Sequence, residues 1–284
     1  RQVSSAASDV YKRQDMNTSF DIHDLNSAVL EAADTIRKMR NDFTVDSKNA
    51  VVDLVTNADL KSEDILIKAI TKYFPDDGII SEESDEVVST NGRSWLIDPL
   101  DGTVNYANNI PQVAITLTLL VNKAPVQTYV YDIFQEDLYE GYANEGGFKN
   151  SERLQVTKNT SLQKAIIATG FPYDRLEFGE QYIQTFLSIL KTTGGVRRFG
   201  SAALDVCWVA DNKFDGYYEY FIKPWDTLGA SLILQEAGGI VIDEHEMFPT
   251  VTSNLIIASN KHIYDEFKSL VLANIDPELL KRFN

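Results

Sequence analysis

The spacing of apolar positions changes several times along the chain, and each change marks an element. Ile22, Leu25, Val29, Ala32, Ile36 and Met39 recur in alternating steps of three and four, which predicts an amphipathic helix over Asp21–Arg40. Leu60, Ile65, Leu66, Ala69, Ile70 and Tyr73 predict a second helix within Val51–Tyr73, with Thr56 or Asn57 as its cap. Ile79 and Ile80 begin a short strand after the Pro75–Gly78 turn. Val113, Ile115, Leu117 and Leu119 then alternate with Thr116 and Thr118, followed by apolar runs over Val126–Phe134 and Leu138–Tyr142. Turns fall at Asn122–Pro125 and at Gly146-Gly147, so these runs read as an antiparallel meander.

The second half mixes both periods. Ala165–Thr169 predicts a strand, and Glu177–Leu190 a helix with Tyr182, Phe186 and Ile189 on one face. Gly194–Asp205 reads as a turn, a short strand and the start of a helix whose first residues, Ser201, Ala202 and Ala203, are small enough for a ligand to approach backbone amides. The same small residues also suit close helix packing. Phe214–Glu219 predicts a strand. A helix then opens near Asp226, a good N-cap residue type, with Leu228, Leu232 and Ala237 facing inward. Ile240–Asp243, Asn254–Ala258 and a helix over His262–Leu272 follow, and the tail from Asn274 is expected to be peripheral.

Arg1–Asp15 precedes any Met and shares no pattern with the rest, so it is set aside as a non-native leader, with residues 16–284 as one folded unit. No apolar run approaches the roughly 20 residues of a membrane span, and no secretory signal is visible, so a cytoplasmic protein is expected. The formal net charge is −16. Such a surface repels nucleic acid and anionic membrane, so neither is an expected partner. It also repels a small phosphate ester unless bound cations reverse the local field. Cys207 is the one cysteine, stands in apolar context, and is expected in the core.

The densest chemistry lies in Trp95–Tyr106, which reads Trp-Leu-Ile-Asp-Pro-Leu-Asp-Gly-Thr-Val-Asn-Tyr. Trp95, Leu96 and Ile97 form a strand, which Pro99 and Gly102 are expected to break, leaving Asp98 and Asp101 at its end. Two carboxylates and the carbonyls of 97–100 can converge there on a hard cation such as Mg²⁺. They equally suit a turn whose acids cap amides. Glu82 and Glu83 suit a solvated acidic patch on their own, and Asp59 suits a first-turn helix acid.

These residues together resemble the inositol monophosphatase family. Its signature W-x-I-D-P-[IL]-D-G-T-x-N-[FY] is matched from Trp95 to Tyr106, and its W-D-x-x-[AG]-[AG] signature from Trp225 to Ala230, leading to Glu236-Ala237-Gly238-Gly239. The likeness extends from about Leu25 to Leu272. Ser81 replaces the Gly of the family G-E-E, and Asn108-Asn109 replaces a common His.

The resemblance implies a layered α/β protein, an αβαβα sandwich with a large mixed or antiparallel sheet and a smaller second sheet. It implies a metal-binding half over about 16–150 and a substrate-binding half over 151–284. It also implies two or three Mg²⁺ held by Glu82, Asp98, the Leu100 carbonyl, Asp101 and Asp226, with Asp59 contributing through water. By the same likeness, Glu82 and Thr103 with Asp59 serve the attacking water, while Asp101, Gly102, Thr103, Ala202, Glu219 and Asp226 meet the substrate. The implied activity is Mg²⁺-dependent hydrolysis of inositol monophosphate by metal-activated water, sensitive to Li⁺, in a homodimer. Relatives that act on fructose-1,6-bisphosphate, 3′(2′),5′-bisphosphate nucleotides or histidinol phosphate share the metal site, and an inactive binding member is the alternative of another class. Ala202-Ala203-Leu204-Asp205 stands where the nucleotide branch has a Ser-Ser-Leu-Lys-like stretch, and Asp205 disfavours a second phosphate. His23, His245 and His262 fall outside any motif, which leaves a covalent phospho-enzyme unsupported. Arg197 and Arg198 suit either a substrate or a subunit contact.

Overall fold

Period-two runs need partners for their backbone groups, and here they find them in two large sheets. The computed structural model describes residues 22–47, 54–171, 175–273 and 275. The expected leader at 1–15 and most of the tail lie outside those residues. β1 (Val45–Ser47) and β2 (Leu54–Thr56) pair with each other. β3 (Gly78–Ser81), β4 (Arg93–Asp101), β5 (Ala114–Val121), β6 (Ala124–Asp132), β7 (Asp137–Tyr142), β8 (Gly146–Lys149) and β9 (Glu152–Arg153) then form a seven-stranded sheet in sequence order. β3 and β4 are parallel and every later neighbour is antiparallel, so the meander is present with one parallel edge pair. Gly146 and Gly147 open β8 and pair with Tyr142 and Gly141, where a turn is expected from sequence. The chain reverses just before them, at Ala143–Glu145.

A five-stranded sheet has the order β11-β10-β12-β14-β13, from β10 (Ile166–Thr169), β11 (Gly195–Arg197), β12 (Gly216–Tyr220), β13 (Gly239–Ile242) and β14 (Leu255–Asn260). It is mixed: β10 runs parallel to β11 and β12, and β14 runs antiparallel to β12 and β13.

Helices fill the spaces. α1 (Asn26–Met39) and α2 (Asn57–Tyr73) pack on one face of the larger sheet, where Ile115, Leu117 and Leu119 meet Val29, Ile36, Leu66 and Ile70. The short α3 (Thr103–Ala107) follows β4, and α4 (Arg175–Thr192) precedes β11. α5 (Ala202–Ala210) and α6 (Pro224–Glu236) lie between the two sheets, and their apolar side chains share one core with Ala114, Val130, Ala168 and Tyr217. α4 and α7 (Tyr264–Leu272) cover the outer face of the smaller sheet through Tyr182, Ile189, Phe267 and Val271. The order helices, sheet, helices, sheet, helices is the αβαβα sandwich expected. Cys207 lies within the middle layer and is fully buried. Among the described residues no helix is long and apolar enough to cross a membrane.

The face that α2 buries differs from the one its apolar spacing suggests. Leu60 and Tyr73 are 51% and 45% exposed, whereas Asp59, Ser62 and Glu63 are buried beside Ala58, Leu66 and Ile70. Those polar groups are accommodated because each has a partner, as set out below.

Gly229 explains the small residues after Trp225-Asp226. A Cβ on Gly229 would lie 2.3 Å from Thr118 Oγ1 and 2.4 Å from Thr128 Oγ1. Those two hydroxyls hydrogen-bond each other at 2.8 Å in the sheet below. Without a Cβ, α6 lies flat on β5 and β6. Gly229→Ala is therefore expected to lower stability by about 1–3 kcal/mol through overpacking, read as a drop in urea midpoint at unchanged m-value.

Candidate metal and substrate site

β4 does not stop at Asp98. It runs through Pro99 to Asp101, and its register against β5 shifts between the two acids. The irregularity, rather than a strand end, turns both carboxylates toward the middle layer. The Asp98 amide donates to Thr116 Oγ1 at 3.2 Å, and Asp98 Oδ1 accepts the Leu100 amide at 3.0 Å. Gly102 then takes φ +94°, where a side chain would also press on the Gln112 carbonyl, so only glycine makes this turn without strain.

Three elements bring Glu82, Asp98 and Asp226 together. One carboxylate oxygen from each lies within 4.8 Å of the others, and both aspartates are buried. Glu82 follows β3. Asp226 is at the third position of α6 rather than at its N-cap, which is Lys223, and its Oδ2 accepts the Lys223 amide at 3.3 Å. Pro224 at the first position leaves no amide to satisfy there.

Burial first, and then the charges of Glu82, Asp101 and Asp226, hold the Asp98 carboxyl well above the usual carboxylate range. Burial and the charges of Glu82, Asp101 and Glu219 do the same to Asp226. Like charges so close and so dry need protons or a cation between them. An all-carboxylate set of hard oxygens fits a divalent cation such as Mg²⁺.

Asp101 stands outside that trio. Its Oδ2 accepts Ser201 Oγ at 2.5 Å and the Ala203 amide at 2.9 Å, and its Oδ1 accepts the Ala202 amide at 3.3 Å. The first amides of α5, which from sequence suited a ligand, are thus engaged by this carboxylate. Burial pushes Asp101 up to about 6 against those hydrogen bonds.

Asp59 closes a capping box on α2. Its Oδ2 accepts the Thr56 amide at 2.9 Å and the Thr56 hydroxyl at 2.5 Å, so Thr56 is the cap. Its Oδ1 accepts Thr103 Oγ1 at 3.0 Å, which also lies 3.1 Å from the Leu100 carbonyl. Burial pushes Asp59 up to about 6.

Sequence reasoning missed Glu63. From the buried face of α2 it accepts Ser81 Oγ, Ser84 Oγ at 2.5 Å and the Glu83 amide at 3.3 Å. One carboxylate thus clamps both flanks of Glu82. The Ser81 that departs from the G-E-E pattern is one of its donors.

Glu82, Asp98, Leu100, Asp101 and Asp226 line one end of a cavity of about 320 Å³. Gly102, Thr103 and Ala202 continue its wall, and Asp205, Tyr217, Glu219 and Arg198 line its other side. Glu219 accepts the Tyr217 hydroxyl, and burial pushes its carboxyl from 4.5 up to about 7. Arg197 is exposed and does not line this cavity.

A pH effect follows. Between about 4.5 and about 7 the folded chain keeps a proton on Glu219 that the unfolded chain releases, so stability falls as pH rises through that window. Asp59 acts in the same direction up to about 6. The melting temperature of the metal-free protein is expected to fall from about pH 5.5 to about pH 7.5, and saturating Mg²⁺ to flatten the slope.

Layered sheets with carboxylates gathered at an irregular strand are the fold and candidate metal site of a family of metal-dependent phosphatases: the chain belongs to the inositol monophosphatase family, which it matches over residues 16–276. The family is Mg²⁺-dependent. The chain is 34% identical over 274 residues to an inositol-1-monophosphatase of Synechocystis sp., an alignment that covers 95% of this chain and 94% of the relative. It is 35% identical to a putative Nus factor SuhB of Neisseria meningitidis, over 81% of this chain and 88% of that one. Among solved structures, the extragenic suppressor protein SuhB of Bartonella henselae superposes with a TM-score of 0.85 at 29% identity, covering 89% of this chain and 99% of that chain.

Proposed function

We propose that the chain is a Mg²⁺-dependent phosphomonoesterase that hydrolyses inositol monophosphate, with residues 16–284 acting as one catalytic unit. The observation that carries this reading is the close trio of half-buried Glu82 with buried Asp98 and Asp226 at the end of a cavity wide enough for a small polyol phosphate. Two or three ions would be held by Glu82, Asp98, Asp226, Asp101 and the Leu100 carbonyl. When bound, they neutralise phosphate charge and lower the pKa of water.

The chain's own groups do the rest. Glu82, fixed on both flanks by Glu63, orients the attacking water. Thr103 Oγ1 takes a proton from that water as its own passes to Asp59 Oδ1, which it already contacts at 3.0 Å. A carboxyl titrating near 6 is suited to accept that proton at neutral pH. Water attacks phosphorus, the bond to the alcohol oxygen breaks, and that oxygen leaves as the alcohol after taking a proton from solvent. Gly102, Thr103 and Ala202 bound the space for the phosphate and ring, and Glu219 hydrogen-bonds a ring hydroxyl. Inhibition by Li⁺ and a homodimer in solution belong to the same reading.

The test is phosphate release from inositol 1-phosphate, fructose 1,6-bisphosphate, a 3′,5′-bisphosphate nucleotide and histidinol phosphate, each with and without Mg²⁺. Release that needs Mg²⁺ and is fastest with inositol 1-phosphate supports the reading. Faster release from another ester reassigns the substrate, and release from none leaves a binding protein.

A further inference from the structure

Asp98 and Asp226 are each tied to their own stretch of chain. Asp98 Oδ1 accepts the Leu100 amide at 3.0 Å, and Asp226 Oδ2 accepts the Lys223 amide at 3.3 Å. Bonds this local orient each carboxylate but do not set the distance between β4 and α6. β4 is moreover irregular where it carries Asp98, its register against β5 shifting between Asp98 and Asp101.

Thr116 spans the gap. It faces Asp98 across the ladder of β4 and β5, in the last pair before the shift. Its Oγ1 accepts the Asp98 amide at 3.2 Å and donates to the carbonyl of Trp225, the residue before Asp226, at 2.8 Å. The residue is 2% exposed. A hydroxyl has one proton to give and lone pairs to receive, and here the proton goes to the first turn of α6 and a lone pair to the irregular strand. Packing on a strand does not by itself call for that hydroxyl, since valine has the same branched shape and the same liking for strands. Thr118, two residues on and on the same face, plays a different part: its hydroxyl pairs with Thr128 within the sheet and lies under the bare backbone of Gly229. Thr118 thus bears on how closely α6 lies on the sheet, and Thr116 on where its first turn stands relative to Asp98.

That position decides which cation the two acids suit. Mg²⁺ demands near-ideal octahedral geometry at about 2.0–2.1 Å from each oxygen, whereas Ca²⁺ accepts irregular sets at about 2.3–2.6 Å. Carboxylates on segments free to drift apart lose the smaller ion first. We propose that Thr116 is a positioning residue that holds the Asp98 and Asp226 segments at the separation a small cation needs, and so sets a preference for Mg²⁺ over Ca²⁺. The inference rests on the Mg²⁺-dependent reading and adds the residue that makes the site selective.

The test is calorimetric titration of the metal-free protein with Mg²⁺ and, separately, with Ca²⁺, with no substrate present. Thr116→Val keeps the shape and removes both hydrogen bonds. Its Mg²⁺ affinity is expected to fall about 10–100-fold, as when other groups that orient ligands are removed, and its Ca²⁺ affinity less, so that the ratio of the two dissociation constants moves about tenfold toward Ca²⁺. Thr116→Ser keeps the hydroxyl and is expected to hold both affinities within about threefold. Metal-free melting curves check that the variants fold, and Thr116→Ala replaces the valine variant if that one does not. An equal loss for the two ions, no loss for either, or a loss in the serine variant as large as in the valine variant overturns the selective role and leaves the metal-dependent reading intact. Binding of neither ion by the wild-type protein overturns that reading and this inference together.

Discussion

Asp98→Asn is expected to reduce Mg²⁺-dependent phosphate release on the order of a thousandfold or more and to raise the melting temperature of the metal-free protein. The two effects have one cause. Asp98 is buried against Glu82, Asp101 and Asp226, and each pushes its carboxyl upward. Replacing it with a neutral isostere relieves that repulsion and, under the proposed function, removes a negative ligand. Its backbone contacts remain available, since the amide oxygen can still accept from Leu100. Phosphate release and a metal-free melting curve check the two effects, Mg²⁺ titration calorimetry checks their common cause, and Asp226→Asn should behave alike. Normal turnover with unchanged Mg²⁺ affinity would contradict the ligand assignment.

Glu63→Ala is expected to weaken Mg²⁺ binding about 10–100-fold, the range found when groups that orient ligands are removed. Glu63 does not belong to the close carboxylate trio. It acts by holding Ser81, Glu83 and Ser84, and without it the segment that carries Glu82 loses three hydrogen bonds. The signature of this indirect role is activity that recovers toward wild type at high Mg²⁺, where Asp98→Asn does not recover. Glu63→Gln keeps one carbonyl acceptor and should fall between the two. Loss of activity that no Mg²⁺ concentration restores would mean that Glu63 touches the reaction itself.

The alternation of Ile115, Leu117 and Leu119 made β5 and its neighbours legible, because one stripe of side chains meets α1 and α2 while the other meets the middle layer. The same logic failed on α2. Its inward face carries Asp59, Ser62 and Glu63, with the Ser62 hydroxyl bonded to the Pro99 carbonyl at 2.8 Å, so a polar pattern marks burial there and Leu60 is left in solvent. Glu82, Asp98 and Asp226, which the structure gathers, stand in short motifs and were visible from sequence as candidates. Glu63 was not, because an acid among the acids of a helix carries no local signal, and its partners Ser81 and Ser84 lie on another element. Asp205 was visible as a departure from one branch of the family, but that its Oδ1 has no hydrogen-bond partner among the described residues is a property of packing alone. Pro99 and the Gly146-Gly147 pair misled in the opposite way. Residues that usually interrupt strands are here inside them, one at a register shift and the other at the start of a strand.

The carboxylate trio is drawn from a loop after β3, from the bulged β4 and from the far later α6. An ion shared by the three would rivet the sandwich across its thickness. Backbone amides of α6 would then exchange with deuterium at rates set by free Mg²⁺ as well as by local packing, and a chelator would loosen the middle of the molecule before its edges.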